Sequence, residues 1–493
     1  MSSPSAVPPA RAEAGPRPDL DLDLDAATIP QLVDRMESGA LTSVELTHAY
    51  LERIATVDRQ VRSVLFVHPE ALDQAAESDR RRARGQALGS MDGIPVLIKD
   101  NIDTRGLGTT AGSRALHVPP SDDAELVKRL RAAGAVVLGK TNMSEWGNFR
   151  SAWSTSGWSG VGGQTNNPHV LDRNPCGSSS GSGAAVAASL AQVAVGTETN
   201  GSIVCPSSQS GVVGFKPTHG TISGHGIVPI STRQDTAGPV ARHVVDAAIL
   251  MSVLAGRGVD YTAALASDPL HGARVGVWRR AGHDAEADRV VQEAVDVLGR
   301  HGATVVEVDL PYQARIEAIG LPALVAEFKH DLEAYLRTRP GVPRTVRELI
   351  EFNEADPVEL SRFGQDLFFE AEKAPPLTDP TYLDQRRTAT DLARRSIDEV
   401  IEAHRLDVIM APTNAPAWRT DYAGDPAGLG SATPAAVSGY PNVTVPAGFS
   451  GPLPIGVSFM AGRGADAAVL RFAAAFERAA PARRAPAYLP TLP

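Results

Sequence analysis

The chain has 493 residues, of which 43% are hydrophobic and 21% charged, and a net charge of −10. That length buries a sizeable core, and the acidic balance argues against nucleic acid as a main partner, since phosphate binding needs clustered Lys and Arg. No apolar run approaches membrane-spanning length and the N-terminus lacks the apolar segment of a secretory signal, so no membrane partner is expected and the cytoplasm is the expected compartment.

Residues 1–27 are rich in Pro, Ala and Asp and read as a disordered tail. A helix is expected over about 29–38, stopped by Gly39. A second opens on Thr42-Ser43-Val44-Glu45, a capping-box pattern, and lines Leu46, Tyr50, Leu51, Ile54 and Val57 along one face. A charged helix covers 68–85. Val96-Leu97-Ile98 reads as a buried strand that runs straight into Lys99. A helix at 123–133 and a strand at 135–138 precede a long stretch, 141–175, without evident regular structure. That stretch holds Trp146, Phe149, Trp153 and Trp158, which either line a substrate channel or pack the loop on itself.

Residues 176–217 are the most informative. Gly177–Gly183 is a glycine and serine loop, and Ala184–Ala191 is a helix-forming run of small residues. Val193–Val195 reads as a buried strand and ends in a second small, polar loop, Gly196–Ser202. A third apolar stretch, Gly211–Phe215, stops at Lys216-Pro217. Glycines let backbone amides approach a ligand closely, so two such loops place several serines in one pocket. Two cysteines make no disulfide framework for a chain this size; Cys176 and Cys205 both lie beside the loops, which can bring them near each other, and are read as small buried fillers rather than a redox pair. No Cys, His, Asp or Glu cluster has metal-binding spacing, and no metal is expected.

Beyond this segment, Val244–Ala255 is a core helix. Val275–Val277, a helix at about 285–300 and Ala303–Val308 form a strand–helix–strand unit. Residues 314–405 are mainly helical, with Pro-marked breaks near 339–343 and 374–380. Strands follow at 406–410, 443–446 and 455–460, and a last helix at about 465–479. Alternating strands and helices predict an α/β fold with a sheet covered on both faces. One large domain is expected over 28–484, with a C-terminal tail over 485–493.

Lys99 is unusual, since burying an ammonium at a strand end is costly. It either pairs with Asp100 or serves as a base that loses its proton through burial. Serine hydroxyls need such a base within reach. None of the 12 histidines lies by the loops with an evident Asp partner, and His219 and His225 read as structural or exposed. Gly177-Ser178-Ser179-Ser180-Gly181 fits the G-x-S-x-G elbow, but the preceding Asn166–Pro175 does not form the strand which that motif requires.

The segments GSSSGSGAA (177–185), GTETNGS (196–202), GFKPT (214–218) and GIPVLIKD (93–100) resemble the amidase signature family, with further similarity over roughly 28–484. Within that family GKTNMSEWGNFR (139–150), SGWSGVGGQTNNP (156–168), GTETNGSIVCP (196–206) and PISTRQDTAGPVAR (229–242) resemble the bacterial peptide amidases. The resemblance implies one large domain with a mixed, twisted sheet enclosed by helices. It implies a cofactor-free serine amidase acting on small-molecule or peptide amides, with no obligate protein partner. By matched positions Ser202 is the nucleophile, Ser178 the bridging serine and Lys99 the base. Backbone amides of Thr199, Asn200, Gly201 and Ser202 hold the oxyanion, and Ser179 hydrogen-bonds within the relay. Asp235 and Thr197 stand behind the reacting groups, with Asp235 tying the loop around Thr197. The family's peptide bond before the bridging serine is typically cis. Glu198 and Asn200 depart from the commoner Asp and Gly, and Asn200 bears on substrate preference. The alternatives within this resemblance are a general aryl or alkyl amidase and the amidase subunit of a tRNA-dependent amidotransferase.

Overall fold

The short apolar runs pair into one mixed sheet, and the polar loops emerge where its strands end. The computed structural model describes residues 22–256, 258–263, 265–426 and 428–492. Its strands are β1 (Val64–Val67), β2 (Pro95–Lys99), β3 (Val136–Thr141), β4 (Trp158–Ser159), β5 (Gly163–Gln164), β6 (Val193–Glu198), β7 (Val213–Lys216), β8 (Thr236–Ala241), β9 (Arg274–Val277), β10 (Thr304–Glu307), β11 (Val408–Pro412), β12 (Asn442–Ser450) and β13 (Leu453–Met460). All but the β4–β5 hairpin join an 11-stranded sheet in the order β1-β3-β2-β6-β8-β7-β12-β13-β11-β9-β10. β3, β2 and β6 are mutually parallel, as are β11, β9 and β10, and the other pairings are antiparallel.

Every residue of β2, β3, β6 and β8 is buried. Successive strand side chains point to opposite faces, so this pattern requires helices on both sides. The result is one large α/β domain, as the sequence implied. The expected capping box forms at Thr42 and Glu45, and a second forms at Thr28 and Gln31.

Some elements differ from expectation. The helix read as Ala184–Ala191 spans Ser180–Ala187 and so begins inside the glycine and serine loop. Small side chains allow it to be buried on every side, and it shows no apolar face for a periodic pattern to reveal. The short helix Val204–Gln209 and strand β8 were not anticipated. The stretch 141–175 contains the β4–β5 hairpin and a 3₁₀ turn, Glu145–Asn148. The helices Gln313–Leu336, Val346–Ala355, Asp366–Lys373 and Pro380–His404 occupy the region expected to be helical. Phe149 packs on Phe328 at 4.9 Å and Trp146 meets Phe368 edge-on at 5.9 Å, which docks the long loop on this helical region.

Of the tail expected over 1–27, residues 1–21 lie outside the described residues. Leu22 and Leu24 pack against the main core and Ala27 is buried within it. At the other end, Tyr488 and Leu489 hydrogen-bond to Pro168, His169 and Leu171 through the backbone.

Candidate active site

Parallel strands bring their carboxyl ends together, and that edge is where α/β sheets hold ligands. Here β2 ends at Lys99, β3 at Lys140-Thr141 and β6 at Thr197-Glu198.

Lys99 is fully buried. Its Nζ donates to Ser178 Oγ at 2.8 Å, Thr197 Oγ1 at 2.8 Å and the Thr197 carbonyl at 3.1 Å. It is not paired with Asp100, whose carboxylate instead lies 3.7 Å from Lys140 Nζ. Among the described residues Lys99 has no ion-pair partner. Burial pulls it from its ordinary value near 10.5 down to about 7, against the opposing influence of Asp235 and Glu198. A large share of the molecules therefore hold a neutral amine at neutral pH.

Ser178 follows a cis peptide bond after Gly177. Position 177 has no room for a side chain, because a Cβ would lie 2.1 Å from Ser144 Oγ. Ser202 follows Gly201, which turns the second loop with φ +84°, a backbone favourable only to glycine. The Ser179 amide donates to the Ser202 carbonyl at 3.1 Å and joins the two loops. Ser179 Oγ is bound to the main chain of Thr197, donating to its carbonyl and accepting from its amide. It braces β6 rather than contacting another serine hydroxyl. The Ser202 hydroxyl makes no hydrogen bond to a described residue. Thus the Lys99–Ser178 contact is formed, whereas Ser178 and Ser202 sit on joined loops without a shared hydrogen bond.

The backbone amides of Asn200, Gly201 and Ser202 also donate to no described residue. Those of Ile203 and Val204 are taken by Glu198 Oε2 at 2.8 and 3.1 Å. Glu198 thereby fixes the far side of the turn and leaves three consecutive N–H groups available to an anion. The Asn200 side chain is exposed and reaches Thr433 Oγ1 at 3.2 Å.

Asp235 holds the loop around Thr197 through Thr199. Its Oδ1 accepts from Thr199 Oγ1 at 2.6 Å, and Oδ2 accepts from the amides of Ile230 and Ser231 at 2.8 and 3.0 Å. Burial raises it to about 7. It links the Ser202 loop to the segment 219–236, which walls a cavity of about 430 Å³. Met143, Trp146, Ile222, Ile227 and Ile230 give that cavity apolar walls, and Ser178, Thr197, Thr199 and Asp235 line its polar end. Of the aromatic residues in the long loop, Trp146 lines this cavity, Trp158 packs on Phe363 at 5.1 Å, and Trp153 is 69% exposed.

Sequence reasoning missed Asn101, which donates to Thr197 Oγ1 at 3.0 Å and lines the cavity. Its position two residues past Lys99 at the same strand end was the available signal. His219 and His225 also line the cavity.

The reading of the two cysteines as fillers is overturned. Cys176 and Cys205 form a disulfide with a Cα–Cα distance of 5.9 Å. One lies two residues before Ser178 and the other three after Ser202, so the bond staples the two serine loops. Its sequence separation of 29 residues corresponds to roughly 3.6 kcal/mol on the chain-entropy account. Reduction, or Cys205→Ala, is expected to lower the urea midpoint accordingly, and an unchanged midpoint with and without reductant contradicts that contribution.

The Amidase family profile matches residues 45–470. A probable amidase of Arabidopsis thaliana is 37% identical over 501 residues, covering 94% of this chain and 92% of the relative. A glutamyl-tRNA(Gln) amidotransferase subunit of Roseiflexus castenholzii is 35% identical over 92% of this chain and 95% of its own. The crystal structure of native peptide amidase from Stenotrophomonas maltophilia superposes with a TM-score of 0.90 at 45% identity, covering 94% of this chain and 99% of that one.

Proposed function

Since the chain belongs to the amidase family and is an amidohydrolase, we propose that it hydrolyses a primary carboxamide to the carboxylic acid and ammonia. The substrate is the C-terminal amide of a peptide or an amino acid amide. One observation carries the reading: a fully buried amine, drawn down to about 7, stands 2.8 Å from the Ser178 hydroxyl beside the Ser202 loop.

Neutral Lys99 accepts a proton from Ser178, which accepts one from Ser202. Apo catalytic hydrogen bonds are often loose, and rotation of the Ser202 hydroxyl toward Ser178 completes the relay once substrate is bound. Ser202 Oγ attacks the amide carbon as its proton leaves. The carbonyl oxygen becomes an anion held by the N–H groups of the 199–202 turn, the kind of preorganised contact that dominates acyl transfer. The C–N bond then breaks as the relay returns the proton to nitrogen, and ammonia departs. Water gives its proton to the relay and attacks the Ser202 ester, releasing acid and free serine. The Ser202 proton leaves with ammonia and a proton from water replaces it, so the relay ends as it began and no redox partner is needed.

The peptide assignment rests on the likeness to the Stenotrophomonas peptide amidase and on the apolar cavity of about 430 Å³, large enough for a hydrophobic side chain next to the amide. The relatives that are amidotransferase subunits favour a second reading, in which the chain acts only within a complex. Disulfides persist mainly in oxidising compartments, so the Cys176–Cys205 bond weighs against the cytoplasmic expectation. Among the described residues no helix is long and apolar enough to cross a membrane.

Ammonia release by the purified chain alone tests the reading, with an amidated dipeptide, an amino acid amide, benzamide and glutamine as substrates. The expected order places the amidated dipeptide first. Release from benzamide alone moves the substrate to simple amides, and silence on all four favours the partner-dependent reading.

A further inference from the structure

A second cavity, of about 940 Å³, adjoins the first and shares His219 and Thr232 with it. Five arginines line it: Arg233, Arg386, Arg387, Arg394 and Arg463. Two of them are neutralised. Arg386 is bound to buried Glu327 and donates to Gln234 Oε1 at 2.9 Å, and Arg387 pairs with Asp384 at 2.7 Å. Among the described residues Arg233, Arg394 and Arg463 have no ion-pair partner, and the remaining lining carboxylate is Asp391. This is a positive groove on a protein of net charge −10, next to the cavity that Ser178 lines.

We infer that this groove is a subsite for a carboxylate on the substrate, supplied by an Asp or Glu residue upstream of the reacting amide. The inference rests on the peptide amide reading above. A peptide whose last residue fills the apolar cavity leaves past His219 and Thr232, and its preceding residues then run between the three guanidiniums that have no ion-pair partner, of which Arg394 also donates to the Ser438 carbonyl at 3.4 Å. A guanidinium presents a planar fork of N–H donors that matches a carboxylate in two-point geometry. Arg233 and Arg463 are exposed and Arg394 is half-buried, so the attraction is partly screened and falls with ionic strength. The groove accordingly sets preference among peptides and takes no part in bond breaking.

The test compares kcat/KM for neutral amidated tetrapeptides with the same peptides carrying a single Glu or a single Lys two, three or four residues from the amide. At one of these positions Glu is expected to exceed Lys by about tenfold in low salt. That ratio should shrink toward one at 1 M NaCl, and should invert in the double variant Arg233→Glu, Arg463→Glu. Equal rates for Glu and Lys peptides at all three positions, with the neutral peptide still hydrolysed, overturn the subsite and leave the peptide amidase reading standing. Failure to hydrolyse any amidated peptide, neutral ones included, overturns both.

Discussion

Lys99→Met is expected to lower kcat by about 10³-fold at pH 7.5, within the range assigned to a positioned general base, while the protein stays folded. Methionine keeps the apolar stem and removes only the amine. Of the three acceptors that Lys99 occupies, Ser178 Oγ lines the cavity and the two on Thr197 each keep another donor. The Thr197 carbonyl still receives Ser179 Oγ at 3.0 Å, and Thr197 Oγ1 still receives Asn101 Nδ2 at 3.0 Å. A loss of activity together with a loss of folding would point to a structural lysine instead.

The pH profile of the wild type separates the two roles. With Lys99 at about 7, kcat/KM should rise about tenfold per pH unit below that value and level off above it. A rate independent of pH from 5 to 9 contradicts the assignment. Stability follows the same shift. The unfolded chain keeps the Lys99 proton up to about 10.5 and the folded chain only up to about 7, so between these values the unfolded state binds more protons. This residue's contribution to stability therefore increases with pH across that window and is flat below it. Lys99→Met removes that increase.

Ser202→Ala has the larger expected effect, a fall in kcat of about 10⁴-fold or more, the scale seen when a hydrolase loses its nucleophile. The hydroxyl makes no hydrogen bond to a described residue, so its removal leaves no buried group unpaired, and unfolding free energy should change by no more than about 0.5 kcal/mol. Measuring turnover and urea midpoint on the same preparation checks both halves. A variant that retains a tenth of the wild-type rate rules Ser202 out as the nucleophile.

Much of the fold was legible because burial on both faces leaves uninterrupted apolar runs, as at Val96-Leu97-Ile98 and Val193-Ala194-Val195. Local signals were equally direct at Thr42-Ser43-Val44-Glu45, where the capping box formed. The helix Ser180–Ala187 was misplaced because Gly and Ser are poor helix formers and only tertiary packing holds them there. The disulfide was hidden for a different reason. A cysteine count does not give bonding geometry, and the contact depends on how the loops before the helices Ser180–Ala187 and Val204–Gln209 are joined, as by the Ser179 amide to the Ser202 carbonyl. Lys99 was conspicuous as a cation at the end of a buried strand, but Lys140 and Lys216 are equally buried. The difference lies in their partners: Lys140 lies near Asp100 and donates to Thr109, Lys216 donates to the carbonyls of Pro217 and Tyr440, and Lys99 alone of the three reaches a loop serine. The tie of Asp235 to the loop around Thr197 came only from the family resemblance, and its second attachment, to the amides of Ile230 and Ser231, depends on a loop conformation that the sequence does not show.

In the proposed reaction Ser202 forms a covalent ester with the acyl group of the substrate. Acid-quenched protein mixed with a slowly hydrolysed p-nitrophenyl ester, followed by intact mass and peptide mapping, tests it directly. An added acyl mass is expected on the peptide containing Ser202, absent in Ser202→Ala. An adduct on Ser178 or Ser179, or turnover with no adduct under conditions where deacylation is slow, contradicts it.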